Sequence, residues 1–348
     1  MAKLDILLKV PLSHSAPMNV SGLPFYKWCP GEDEALRLKV SEGELLIWAE
    51  PSRDQELSEW LNVQVNRFVC RVLILEFKDD LVPHLRAAAN AVDGATPELQ
   101  EFGDRFVREL LGALNVVLKH LRARKLLYWF DVFDENTGLT HDVLQRCDAT
   151  VRIDGQMPIA FRPSRRDILN GPHPGLWRSL RREDWQSIKD EISSNRRPAL
   201  AGELLATALQ HLANNEGRAA LTEACSALEL ALTRFAVTKD GDGRWSTAVG
   251  DGRVPAKDLS EHVKHLGLAA SVRFLVPLLF RDEELDSGIL MRVNRAIELR
   301  NNVIHTGQRD IAPSEAEACV DGIIDLVGTL LPNQLAPPGE RRRLDSGQ

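Results

Sequence analysis

The sequence predicts an α+β protein, an N-terminal mixed α/β sheet domain followed by an all-α helical bundle. Two observations carry this. Residues 1–80 hold short runs of β-branched, aromatic and leucine residues separated by turn signals, the pattern of strands. From Pro198 onward apolar residues recur at i, i+3, i+4 and i+7, the pattern of amphipathic helices. A third observation sets the boundary: a stretch rich in proline and arginine separates the two patterns. The expected organisation is therefore an α+β domain over 1–160, a basic linker with a short helix over 161–198, a helical domain over 199–332 and a disordered tail over 333–348.

The strand candidates come first. Asp5–Pro11 is an apolar run ended by proline, and Leu36–Val40 alternates. Glu44–Ala49 follows the turn signal Glu42-Gly43, and Val63–Phe77 is rich in valine and phenylalanine. Trp28, Trp48 and Trp60 are expected in this domain's core. Leu81–Val92 reads as a short helix. Thr96-Pro97-Glu98 opens a long one, because a capping hydroxyl, a first-turn proline and early acid all favour a helix start. Leu99, Phe102, Phe106, Leu110, Leu114, Val117 and Leu121 carry it to about Arg124. Its basic end (Lys119, His120, Arg122, Arg124, Lys125) suits the carbonyl end of the helix dipole and is expected to be solvated. Leu126–Phe133 and Thr150–Ile153 then read as strands, the second ending at the turn Asp154-Gly155.

In the linker, Arg181–Gln186 opens a helix to about Ser193, and Pro198 closes the segment. From Arg162 to Arg197 nine basic residues face five acidic ones, in a chain whose formal net charge is −7. Such a segment is either solvated linker or an electrostatic guide for an RNA strand, through Arg162, Arg165, Arg166, Arg181 and Arg182. The helical region is read as 199–214, 216–237, 255–266, 269–280, 286–305 and 313–331, with 239–254 a glycine-rich loop. Asp240-Gly-Asp-Gly243 lacks the later ligands of a calcium loop.

Bulk properties narrow the function. The acidic balance argues against a protein that coats nucleic acid non-specifically. The cysteines (Cys29, Cys70, Cys147, Cys225, Cys319) are dispersed, with no metal knuckle and no C-x-x-C pair, which suggests buried thiols in a reducing compartment. The N-terminus has no signal-peptide pattern, and no apolar run nears the ~20 residues that span a bilayer. A cytoplasmic protein without metal or cofactor is expected. There is no Gly-rich phosphate loop and no serine nucleophile elbow.

One stretch carries chemistry: Glu298-Leu-Arg-Asn-Asn-Val-Ile-His-Thr-Gly307, with Gly307 placed to end the helix. At 100° per residue, Leu290, Val293, Ile297 and Ile304 form one face with Arg300 in its middle. A guanidinium there is costly unless it is paired or that face meets something polar. Asn294, Asn301 and His305 follow the border, with Glu298 just beyond. On the preceding helix Leu221, Cys225, Leu228 and Leu232 form the apolar stripe, and Glu229 falls at its edge, where a carboxylate needs a partner. An imidazole can move the protons of RNA cleavage at neutral pH, and an arginine fork can hold the charge that grows on the phosphate.

Arg300-Asn-Asn-Val-Ile-His305 resembles the R-x-x-x-x-H signature of HEPN domains, an all-helical superfamily, and Glu223–Glu229 looks like the helix that many members set opposite it. The likeness covers about 199–332. It implies a HEPN-type, metal-independent endoribonuclease effector, used in phage defence or stress response, with RNA as substrate. Arg300, His305 and Asn301 would be catalytic, and Glu229, Asn294 and Asn302 supporting. The single signature implies a composite site across a homodimer. Where members of toxin–antitoxin pairs carry a modifiable tyrosine, this chain has Gly307. A non-catalytic HEPN-type module that binds nucleotide, RNA or protein is the alternative, and the activating ligand or partner protein is left open.

Overall fold

The computed structural model describes residues 2–11, 23–26, 28–40, 43–51, 62–77, 82–83, 97–128, 148–156, 159–162, 179–249, 266–308 and 310–335. The chain divides into two compact units: residues 1–121 with 129–197, and residues 122–128 with 198–348.

The first unit is built on an antiparallel sheet. Its strands are β1 (Ala2–Pro11), β2 (Leu23–Tyr26), β3 (Leu36–Val40), β4 (Gly43–Pro51), β5 (Asn62–Phe77), β6 (Asp148–Ile153) and β7 (Ile159–Arg162). They run in the order β3-β4-β5-β1-β6-β7, and β2 pairs with the start of β5. The register follows from side-chain alternation. Leu4, Ile6, Leu8 and Val10 of β1 are all buried, while Lys3, Asp5, Leu7 and Lys9 between them reach solvent. On that wetter side Arg71 of β5 binds Asp5 and Glu32, and Lys9 binds Glu50 at 2.6 Å. Asp154 and Gly155, both at positive φ, close the turn after β6. The strand β7 straddles the boundary expected at 160/161 between the first domain and the linker.

Helix α1 (Pro97–Lys125) starts at the proline that was expected to open it. Its basic end is not the solvated end the sequence suggested. His120 is buried with Nδ1 2.9 Å from Glu191 Oε2, Lys125 is buried too, and Arg122 donates to Gln210 at 2.6 Å. Leu126 takes a left-handed φ of 51°, so Leu126–Tyr128 form a turn rather than the start of a strand; 129–133 lie outside the described residues.

Helix α2 (Arg182–Ser193) corrects the linker reading, because it belongs to the first unit's core. Trp185 is only 1% exposed. Its ring stacks on Phe68 at 6.5 Å and meets the edge of Phe25 at 6.4 Å, and its Nε1 donates to the Glu34 carbonyl at 3.0 Å. Of the expected core tryptophans, Trp28 and Trp48 are only half-buried, and Trp60 lies outside the described residues.

The second unit is helical: α3 (Leu200–Ala213), α4 (Gly217–Phe235), α5 (Lys239–Val249), α6 (268–279), α7 (Ser287–Thr306) and α8 (Pro313–Leu330). Helices α4, α7 and α8 pack on one another, and α3 packs on α4. At Gly202 the approach is so close that a Cβ would lie 2.2 Å from the Ala123 carbonyl oxygen. Helix α5 occupies what the sequence read as loop, fixed by buried Trp245. Helix α6 contains a π-helical turn, Ser271–Leu275, just before Pro277. The proline supplies no N–H to the carbonyl four residues back and its ring crowds that carbonyl, and a widened turn absorbs both. The expected helix over 255–266 and the tail from 336 fall outside the described residues, apart from Leu266. No helix is long and apolar enough to cross a membrane among the described residues.

Candidate functional site

Helix α7 positions the candidate residues. Asp286 caps its N-terminus by accepting from the Gly288 N–H at 2.9 Å. Gly307 ends it at φ 70°, the left-handed conformation that glycine adopts without strain. The last turns are thereby held as regular helix, and the side chains of 298–305 have fixed directions. Ile289, Val293, Ala296, Ile297 and Leu299 face the core.

Arg300 lies on that inward side, half-buried, as the helical wheel places it. Its Nη1 donates to Asn301 Oδ1 at 3.2 Å, while its Nε is buried with no partner. It lies near Cys225 of α4: burial pushes that thiol up to about 12, against the pull of the Arg300 guanidinium. The rest of the wheel face is uneven. Val293 and Ile297 are buried, Leu290 is half-buried and Ile304 is 48% exposed. Past the last buried turn, the apolar stripe runs out into solvent.

His305 and Asn302 are exposed, and Asn301 is half-buried. Asn294 donates to the Leu290 carbonyl at 2.9 Å and accepts from Arg273 Nε at 3.3 Å. Glu229 is exposed, so it does not need the partner its place on the stripe suggested. The structure thus brings Arg300 and Asn301 together, places Glu229 and Arg300 both near Cys225, and leaves His305 and Asn302 at the surface.

Sequence reasoning missed Arg273. It comes from the π-helical turn and reaches both Asn294 and Glu298, the latter at 3.5 Å. Arg295 ties Glu298 to Glu315. No local pattern announces Arg273, since its partners lie 21 and 25 residues away. Near the end of α7 a cleft of about 700 Å³ opens at the start of α4, lined by Asn215, Glu216, Arg218, Thr222, Glu223 and Val303. His211 Nδ1 lies 2.5 Å from Glu216 Oε2 in its wall.

The basic guide residues are less free than the sequence suggests. Arg182 pairs with Glu34 at 2.9 Å and covers the Trp28 ring at 5.4 Å. Arg181 forms a capping box with Asp184. Arg162 lies in β7, and Arg165 and Arg166 lie outside the described residues. Among the described residues no group of three or more His, Cys, Asp or Glu could hold a metal ion. Cys29, Cys70, Cys225 and Cys319 are in no disulfide; burial holds Cys29 at about 12 and Cys319 at about 11, far from the thiolate a nucleophile needs. Comparison with models of known protein families, with curated proteins and with solved structures finds no match to this chain.

Proposed function

We propose that this protein is a HEPN-type, metal-independent endoribonuclease of the cytoplasm, active as a homodimer in phage defence or stress response. The observation that carries the reading is Arg300: a half-buried guanidinium with an unpartnered Nε, held by Asn301 five residues before an exposed imidazole on a capped helix end. Arg71, Arg244 and Arg292 by contrast each pair with a carboxylate, Arg292 while also keeping a buried, unpartnered Nε.

In this mechanism one His305 takes the proton of the ribose 2′-hydroxyl. The 2′-oxygen attacks phosphorus and the bond to the 5′-oxygen breaks. The partner subunit's His305 protonates that oxygen, leaving a 2′,3′-cyclic phosphate and a 5′-hydroxyl. Arg300 stabilises the negative charge on the phosphoryl oxygens, and Asn301 fixes the guanidinium. Glu229, Asn294 and Asn302 are assigned supporting roles. The cleft beside Val303 provides room for a nucleotide near the helix end.

The second reading, a non-catalytic HEPN-type binding module, is favoured by the placement of Arg300 beside Cys225 rather than in open solvent. RNA cleavage in EDTA separates the two. Under the nuclease reading the wild type cuts, and Arg300→Ala and His305→Ala each lose 10²–10³-fold of the rate. A folded, dimeric wild type that binds RNA and leaves it intact supports the binding module instead.

A further inference from the structure

The second unit contains a cavity of about 310 Å³ whose lining includes none of Arg300, Asn301 and His305, though it does include Glu229. Helices α4, α5, α6 and the end of α8 enclose it, and Leu232, Phe235, Leu275, Leu279 and Phe280 make its walls apolar. Glu229, Thr233, Trp245 and Ser271 interrupt those walls, and two of them bear on what the cavity could hold. Trp245, 1% exposed, has its indole Nε1 buried without an acceptor. Ser271, 6% exposed, places a hydroxyl-bearing side chain in the same lining.

Buried polar groups are normally satisfied, because each one left bare costs about 1–3 kcal/mol. A bare indole N–H in the wall of an apolar chamber is therefore unusual. Ser271 also opens the π-helical turn, an element that interrupts regular helices mostly where a site requires it. Glu229 lines the cavity as well and is exposed, which disfavours an anion.

We infer that this cavity is a binding site for an uncharged, mainly apolar small molecule with one hydrogen-bond acceptor. Its acceptor satisfies the Trp245 N–H and the Ser271 hydroxyl, and its body fills the space between α4 and α6. Size fixes the class further. A dry apolar cavity of ~150 Å³ takes benzene, so this one suits two fused rings or an acyl group of similar bulk. The site does not depend on whether the protein cuts RNA.

The probes are 2-acetylnaphthalene and its acceptor-free counterpart 2-ethylnaphthalene, titrated into the full chain. The readout is the indole N–H signals of ¹⁵N-tryptophan-labelled protein, with Trp245 assigned as the signal missing from Trp245→Phe. Both probes are expected to perturb the Trp245 signal. The ketone is expected to bind ~10-fold tighter, since one hydrogen bond contributes ~1 kcal/mol or slightly more, and to move that signal downfield. Trp245→Phe brings the two affinities within ~2-fold. Ser271→Ala lowers ketone affinity ~3-fold and leaves that of the hydrocarbon alone, which keeps the test available if Trp245→Phe does not fold. A Trp245 signal that moves with neither probe up to its solubility limit overturns the site. Equal affinity for the two probes overturns the role assigned to its polar groups.

Discussion

Two arginine-led segments, 181–197 and 298–307, look alike in the sequence and end in opposite circumstances. The first opens a 12-residue helix with Arg181-Arg-Glu-Asp184, and the second closes a 20-residue one with Glu298 and Arg300. In the first, Trp185 draws the helix into a core, and the arginines are spent on folding: Arg182 on Glu34, Arg181 on Asp184. In the second, Val293 and Ile297 anchor the helix, Arg300 goes partly under with its Nε unpartnered, and His305 stays in solvent. Charge content does not distinguish them. What distinguishes them is the aromatic or aliphatic residue that decides which turn is buried, and whether a carboxylate lies within reach of the cation.

Trp185→Ala tests the first half of that contrast most severely. It removes a ring packed on Phe25 and Phe68 and strips the Glu34 carbonyl of its donor. A loss of ~3–5 kcal/mol is expected in denaturant unfolding; a loss under ~1 kcal/mol would return α2 to the role of a linker. His305→Ala makes the opposite claim for the second segment. Unfolding stability should stay within ~0.5 kcal/mol, because the side chain is exposed, while RNA cleavage falls as described above. A large stability loss with unchanged cleavage would make His305 a structural residue.

Arg244 extends the contrast to a third cation. It grips Glu284 through two nitrogens, at 2.7 and 3.0 Å, and lies over the Phe280 ring at 4.3 Å. Arg244 and the Arg281 backbone N–H hold the Glu284 carboxyl at about 2, below the ordinary 4.5. A depressed carboxyl stabilises the fold fully above its unfolded value and stops doing so as pH falls from 4.5 through about 2. The carboxylate is 39% exposed, so solvent screening reduces the effect to ~1 kcal/mol or less. Glu284→Gln should flatten the acid side of the stability profile by that amount. The smallest effect belongs to Arg182→Ala. Its pair with Glu34 is 64% exposed on the arginine side, so a change of ~0.5 kcal/mol is expected by thermal unfolding.

Much of this architecture was legible beforehand because it rests on period and caps. The apolar run of β1, the alternation of β3, the valine- and phenylalanine-rich stretch of β5, the start of α1 at Pro97 and the end of α7 at Gly307 are local signals, and the structure follows them. What could not be read was decided by distant contacts. Gly241 and Gly243 weaken a helix by ~1 kcal/mol each, yet α5 forms. A Cβ at Gly241 would lie 2.1 Å from the Phe235 carbonyl oxygen, so close packing against the end of α4 requires glycine there. The half-burial of Arg300 was visible on a wheel. The exposure of Ile304 and Glu229 was not, because a wheel has no ends and knows nothing of where the neighbouring helix stops. Arg273 joined the site through tertiary packing alone.

The narrow passage between Gly202 and Ala123 bears on how this polypeptide can be dissected. The covalent boundary at 197/198 suggests a fragment beginning at Pro198. Such a fragment would carry a helix grooved for a carbonyl it no longer possesses, and Gln210 would lose the guanidinium of Arg122. Residues 122–128 belong with the described helices of the second unit, although the greater length of their helix belongs to the first. A peptide spanning 97–128, added in trans, is the reagent that would complete it.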